Sequence, residues 1–291
     1  MNFVSRFFGL SILASALSSG AWALPYHPGQ VLPAPPETSS FLELGPVGAV
    51  DFTAIVALNN CSGSLVRFES SLGTDRAMVL TNGHCYEGGF IDPGQYLTDV
   101  GSSRSFKLLD ASGRNTLATL KADRVLFATM TGTDMTLYRL TQTFDEIESR
   151  TGTKALTFSS KHPEKSRGIA VASGYWKKIY TCSIDGFAYR LKEDQWTWND
   201  SIRYLQPGCE TIGGTSGSPV IDTETHEVVG VNNTGNDDGE RCTMDNPCEV
   251  DEAGNVFYKK GTSYGQQTYW LYSCLTNGAL DLKKAGCARP Q

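Results

Sequence analysis

From about residue 50 onward, apolar positions come in short runs rather than long amphipathic stretches. Thr53-Ala54-Ile55-Val56-Ala57-Leu58 is one compact run, and Ser64-Leu65-Val66-Arg67-Phe68 alternates. Ala77-Met78-Val79-Leu80, Arg124-Val125-Leu126-Phe127 and Met135 to Leu140 continue the pattern. A polar interval over residues 141–168, with Glu146, Glu148, Arg150, Lys161 and Lys165, reads as a connection between two half-domains. Further runs follow at Gly168 to Ala172, Pro219 to Asp222, Val228 to Val231 and Thr268 to Leu271. Short runs bounded by Gly, Asn and Asp suit strands, so the pattern predicts an all-β barrel or sandwich. The best helical periodicity is Ala279 to Lys284, which predicts a short C-terminal helix.

The N-terminus carries a different pattern. Arg6 supplies a positive charge, Phe7 to Ala16 is mostly apolar, and Ala21-Trp22-Ala23 is a small-residue cleavage site. The apolar run is shorter than the ~20 residues of a spanning helix. The expectation is a signal peptide over 1–23, removed to leave a secreted protein, extracellular or periplasmic, with no membrane partner. Residues 24–45 hold five prolines, from Pro25 to Pro36, and read as an extended linker or propeptide.

Composition narrows the chemistry. A net charge of −6 over 291 residues argues against nucleic acid as a partner. Eight cysteines in an exported chain point to disulfides, and arithmetic alone leaves many pairings open. The spacing of Cys242 and Cys248 suits a disulfide-closed loop and Cys274 and Cys287 suit a staple on the C-terminal segment, which leaves the pairing of Cys61, Cys85, Cys182 and Cys209 open at this point. Four scattered histidines make a zinc site a poor reading, so neither metal nor cofactor is expected. The carboxylates of the 237–252 loop do not match a calcium-binding loop and read as a solvated acidic surface.

Three motifs carry the candidate chemistry. They are Leu80-Thr81-Asn82-Gly83-His84-Cys85, Asp134-Met135-Thr136-Leu137, and Gly213-Gly214-Thr215-Ser216-Gly217-Ser218-Pro219. A serine hydroxyl needs a base within hydrogen-bond reach, and that base needs a carboxylate to hold its tautomer. His84 suits the base, Asp134 its orienter and Ser216 the nucleophile. Asp110 and Asp123 compete with Asp134, which is preferred because the alternating Met135, Leu137 and Leu140 follow it. The glycines around Ser216 permit a tight turn, and the N–H groups of Gly214 and Ser216 form a candidate oxyanion hole. An α/β-hydrolase needs its Asp and His after the serine, and only His226 follows, ten residues on.

These motifs resemble the chymotrypsin (trypsin-like) serine peptidase family, as does Cys61-Ser62-Gly63-Ser64-Leu65-Val66 before the histidine. The resemblance spans residues 46–291. It implies two antiparallel six-stranded β-barrels, over about 46–145 and 165–291, with the site between them. It also implies a Cys61–Cys85 disulfide and a serine endopeptidase, a monomer acting on protein or peptide substrates.

Two departures bear on activation and specificity. Thr215 stands where trypsin has the aspartate that pairs with a new N-terminus, so activation by that ion pair is not expected. The run from Thr211 to Pro219 is similar to the bacterial glutamyl-endopeptidase branch. In that branch a threonine matching Thr211 and a histidine at the position of Asn232 bind an acidic side chain. Asn232 replaces that histidine and Glu210 lies beside Thr211, which leaves side-chain preference open. Asn232, Asn233 and Gly235 are expected in one wall of the substrate cleft, with Asn233 placed to reach Asp134. Trp196 and Trp198 alternate with polar residues, which is read as a strand with one apolar face, with substrate contact as the alternative. The alternative function is a secreted, catalytically inactive protease-like binding protein, with an esterase as a weaker third reading.

Overall fold

The computed structural model describes residues 49–291. The expected signal peptide and the Pro-rich 24–45 segment lie outside the described residues.

The short apolar runs form strands because each buries one or both faces against its neighbours. In the first sheet, Ile55–Ala57 pairs with Ser105–Leu109, which pairs with Thr116–Thr129 and then Met135–Thr143. Arg76–Thr81 and Ser62–Arg67 follow, and Ser62–Arg67 pairs back onto Ile55–Ala57. All six of these pairings are antiparallel, so the sheet closes into a barrel and removes its open edges. Leu65, Val79, Phe106, Leu120, Val125 and Leu137 are buried inside this half.

The second half repeats the arrangement. Gly168–Ser173, Pro219–Asp222, Val228–Gly235, Ser263–Gln267, Trp196–Tyr204 and Lys178–Glu193 pair in that order, and Lys178–Glu193 pairs back onto Gly168–Ser173. The expected pair of antiparallel barrels is therefore the architecture.

The two halves meet along a seam of buried apolar side chains with serine hydroxyls beside them. Phe52, Ile55 and Leu109 from the first half pack with Ala172 and Ile221 from the second. Beside them, the Ser62 hydroxyl lies 3.0 Å from that of Ser173 and accepts from the Tyr175 N–H at 3.1 Å. The Ser62 N–H donates to the Ser216 carbonyl at 2.8 Å, which crosses from one half to the other.

Three local expectations are revised. The polar 141–168 interval contains a helix, Phe144–Thr151. Thr143 caps it by accepting from the Glu146 N–H at 3.2 Å, and the Glu146 carboxylate accepts from the Thr143 N–H at 2.7 Å. This reciprocal Thr-x-x-Glu cap was a readable start signal. The Thr268 to Leu271 run is not a strand but part of a 3₁₀ helix, Tyr269–Cys274, whose Trp270, Leu271 and Cys274 share a buried side. The C-terminal helical element is therefore here; Ala279–Leu280 is a two-residue strand paired with Leu275–Thr276. Its helical spacing loses to the Cys274–Cys287 disulfide, which folds the segment back.

All eight cysteines pair: Cys61–Cys85, Cys182–Cys209, Cys242–Cys248 and Cys274–Cys287. Among the described residues, no helix is long and apolar enough to cross a membrane.

Gly174 sits at the seam, where an added Cβ would lie 2.3 Å from the Val56 carbonyl oxygen. Gly174→Ala is expected to cost about 1–3 kcal/mol by forcing the halves apart. A lowered thermal unfolding midpoint checks this, and an unchanged midpoint would show that the seam yields without cost.

Candidate active site

The cleft between the barrels collects the residues singled out above. His84, Asp134, Thr211, Gly214, Ser216, Asn232, Asn233 and Gly235 all line it. Chain segments far apart in sequence supply them, because the ends of strands from both barrels open into the same space.

His84 follows the Arg76–Thr81 strand, and its placement depends on Gly83. A Cβ on Gly83 would lie 1.9 Å from the Thr129 carbonyl oxygen and 2.9 Å from the Asp134 carboxylate. The glycine therefore lets the histidine loop close onto the aspartate. Asp134 is 1% exposed, at the start of Met135–Thr143. Its Oδ2 lies 2.8 Å from His84 Nδ1, and its Oδ1 accepts from the His84 backbone N–H at 3.0 Å. The Asn82 amide donates to the Asp134 carbonyl at 2.9 Å. With Oδ2 as acceptor, the ring proton sits on Nδ1 and Nε2 becomes the basic nitrogen. The Cys61–Cys85 disulfide anchors the next residue.

Burial by itself works against the charged imidazolium. The charge and hydrogen bond of Asp134, with the charges of Glu193 and Asp245, outweigh it, and the His84 pKa is raised. Asp110 and Asp123 are engaged elsewhere, Asp110 with Asn115 and Asp123 with Arg139.

Ser216 sits on a turn that only glycine can complete. Gly217 has φ 82°, and a Cβ there would lie 2.1 Å from Thr81 Oγ1 and 2.2 Å from the Ser62 carbonyl oxygen. The Ser216 hydroxyl donates to the Asn233 carbonyl at 3.2 Å. The Thr215 hydroxyl donates to the Ile212 carbonyl at 2.5 Å and accepts from the Asn232 amide at 3.1 Å. Thr215 and Asn232 thus hold the turn from within, where trypsin uses an N-terminal ion pair. Asn232 spends its amide N–H on this role while lining the cleft. The Asn233 side-chain amide makes no hydrogen bond among the described residues, to Asp134 or to any other group.

Other residues at and beside the cleft have roles that the sequence reading left out or ranked second. Trp176 donates its indole N–H to the Gly213 carbonyl at 2.7 Å. In a trans peptide the N–H points opposite to the C=O, so this bond turns the Gly214 N–H away from Trp176. Trp196 and Trp198 are buried on one strand face, as expected, yet both also line the cleft. Their indoles donate to the carbonyls of Ile91 and Met130 at 2.9 and 2.8 Å. Asp237 and Asp245 belong to the loop expected to be a solvated acidic surface, but both face the cleft beside Glu193. Leu191 and Glu193 alternate inward at the end of their strand, a signal hidden by the surrounding charged residues.

The chain belongs to the trypsin-like peptidase domain family, whose model matches residues 61–231. That membership makes it a protease by family, with protein or peptide substrates. No curated protein sequence matches it. Among solved structures it is similar to the MamO protease domain from Magnetospirillum magneticum, at 13% identity and a TM-score of 0.48, covering 78% of this chain and 98% of that one. It is also similar to Nocardiopsis protease, at 16% identity and a TM-score of 0.42, covering 75% and 92%.

Asp134→Asn removes the charge that offsets burial at His84. The His84 pKa is expected to fall, because burial is then no longer offset by the Asp134 charge. Titration of the imidazole ring by NMR checks this, and an unmoved value would show that Asp134 does not set it.

Proposed function

We propose that this chain is a secreted serine endopeptidase hydrolysing peptide bonds through an acyl-enzyme on Ser216. The observation that carries the reading is the 2.8 Å contact of buried Asp134 with His84 Nδ1, in the cleft where Ser216 presents its hydroxyl. Four disulfides are consistent with export, and so is the absence of a membrane-crossing helix among the described residues. The signal segment 1–23 and the Pro-rich 24–45 segment belong to this reading as proposals.

His84 Nε2 takes the Ser216 hydroxyl proton as the oxygen attacks the substrate carbonyl. Asp134 stabilises the imidazolium without accepting its proton. The developing oxyanion is met by the N–H groups of Gly214 and Ser216. The imidazolium then protonates the leaving amine, and the acyl-enzyme forms. Water, deprotonated by His84, attacks the ester and frees Ser216. The raised His84 pKa favours the imidazolium that forms as Ser216 attacks.

A fluorophosphonate probe tests the assembled site. The expected result is an adduct mapped by mass spectrometry to Ser216 and lost in His84→Ala, with peptide hydrolysis falling at least about 10⁴-fold in Ser216→Ala. An unlabelled Ser216 in protein lacking residues 24–45 would favour the inactive binding protein instead.

Trp176→Phe keeps an aromatic ring but frees the Gly213 carbonyl. It is expected to lower kcat about tenfold with little change in KM, because the oxyanion donor acts in the transition state. A rise in KM alone would assign Trp176 to substrate binding.

A further inference from the structure

The cleft extends beyond Ser216 and His84 into a recess for which the proposed mechanism has no use. Its inner wall is Glu193, the last residue of the Lys178–Glu193 strand. Glu193 is 5% exposed. Its Oε1 accepts from the Asp245 N–H at 2.9 Å, and Thr234 hydrogen-bonds to the carboxyl group as well. Its Oε2 is fully buried and has no hydrogen-bond partner. A buried carboxylate oxygen without a partner is costly, and the cost is recovered when a donor or cation arrives. Burial, opposed by the Thr234 and Asp245 hydrogen bonds, pushes the Glu193 carboxyl up to about 8. The Asp245 charge adds to the rise and His84 opposes it. Asp237 is pushed up to about 6, by burial and then by Asp245 and Asp238. The recess therefore gathers acidic groups that raise one another's pKa, with Lys260 opposing at Asp237 and His84 at Glu193.

The rest of the recess is apolar. Phe90 and Trp196 meet edge to face with ring centroids 5.4 Å apart, and Phe90 also contacts the His84 ring at 6.4 Å. Met244 completes the lining. Aromatic and thioether walls leading to a buried carboxyl match a long side chain with an apolar stem and a cationic tip.

Its place along a substrate follows from strand geometry. The Asn233 carbonyl abuts Ser216, and Thr234, which bonds to Glu193, is the next residue on the Val228–Gly235 strand. An extended peptide laid along that strand sends successive side chains to opposite faces. In that register the residue whose carbonyl is attacked would lie toward Thr211 and Asn232, and the residue before it toward His84, Trp196 and Glu193.

We propose that Glu193, with Phe90 and Trp196, forms a subsite for a lysine or arginine side chain on the residue immediately before the one acylating Ser216. This rests on the proposed endopeptidase reading for its register, but the cation-binding recess itself does not require turnover.

Two measurements separate the claims. The first uses fluorogenic peptide amides with a randomised residue at the leaving group and lysine, norleucine or glutamate before it. The wild-type protein is expected to favour lysine over norleucine by about tenfold or more in kcat/KM, with glutamate poorest. In Glu193→Gln the lysine-to-norleucine ratio should fall to near one. A wild-type ratio near one, or an unchanged ratio in the variant, overturns the subsite while leaving the endopeptidase reading standing. The second measures retention of the same lysine and norleucine peptides on immobilised Ser216→Ala protein, read by mass spectrometry. Selective retention of lysine peptides, lost in the Ser216→Ala/Glu193→Gln protein, supports the subsite even if no peptide is hydrolysed, which would sink only the endopeptidase reading. Equal retention, or none, overturns the subsite.

Discussion

The hydrogen bond from the Ser62 N–H to the Ser216 carbonyl, 2.8 Å long, is the constraint on which the site depends. It ties the turn bearing the nucleophile to the strand that pairs with the histidine-bearing strand. Gly217 makes it possible, because a side chain there would collide with Thr81 and Ser62. The Ser62 hydroxyl extends the same tie by donating to the Gly214 carbonyl at 3.1 Å and meeting Ser173. One serine thus registers the two barrels and the nucleophile turn at once. Neither barrel holds the complete site, so the precision of the cleft is the precision of this seam.

Around the seam, burial and charge are balanced differently at different carboxylates. Asp134 has both oxygens occupied by His84, one through the ring and one through the backbone. That arrangement fixes a tautomer and supports a positive charge on the ring. Glu193 is also buried but incompletely satisfied, and burial pushes it toward the neutral form. The two acids face one cleft and share His84 as a neighbour, yet one is fully hydrogen-bonded and the other is not. The Thr215–Asn232 contact is a third solution, holding the nucleophile turn without any ion pair.

Much of this was legible in sequence because it depended on local rules. The alternating and compact apolar runs marked the strands, and Gly213-Gly214-Thr215-Ser216-Gly217 marked a turn that exposes a hydroxyl. The Thr143-to-Glu146 helix cap was equally local but was passed over within a polar interval. The Thr268 to Leu271 run misled because a short apolar run does not choose between strand and helical turn without its packing partner. Glu193, Trp176 and Asp245 were hidden because their meaning comes from a contact with a distant segment.

The sequence by itself determined short strands suited to a barrel or sandwich, and it supplied a histidine at a strand end, an aspartate before a strand and a serine on a glycine-rich turn. Pattern period and turn chemistry act over a few residues, so they survive without the fold. Only the tertiary structure decided that His84 and Asp134 meet at 2.8 Å, that the Gly214 N–H faces away from Trp176, and that an acidic loop turns inward beside Glu193. Those outcomes are set by which backbone groups are buried together and which find partners, and burial is a property of the whole packed chain.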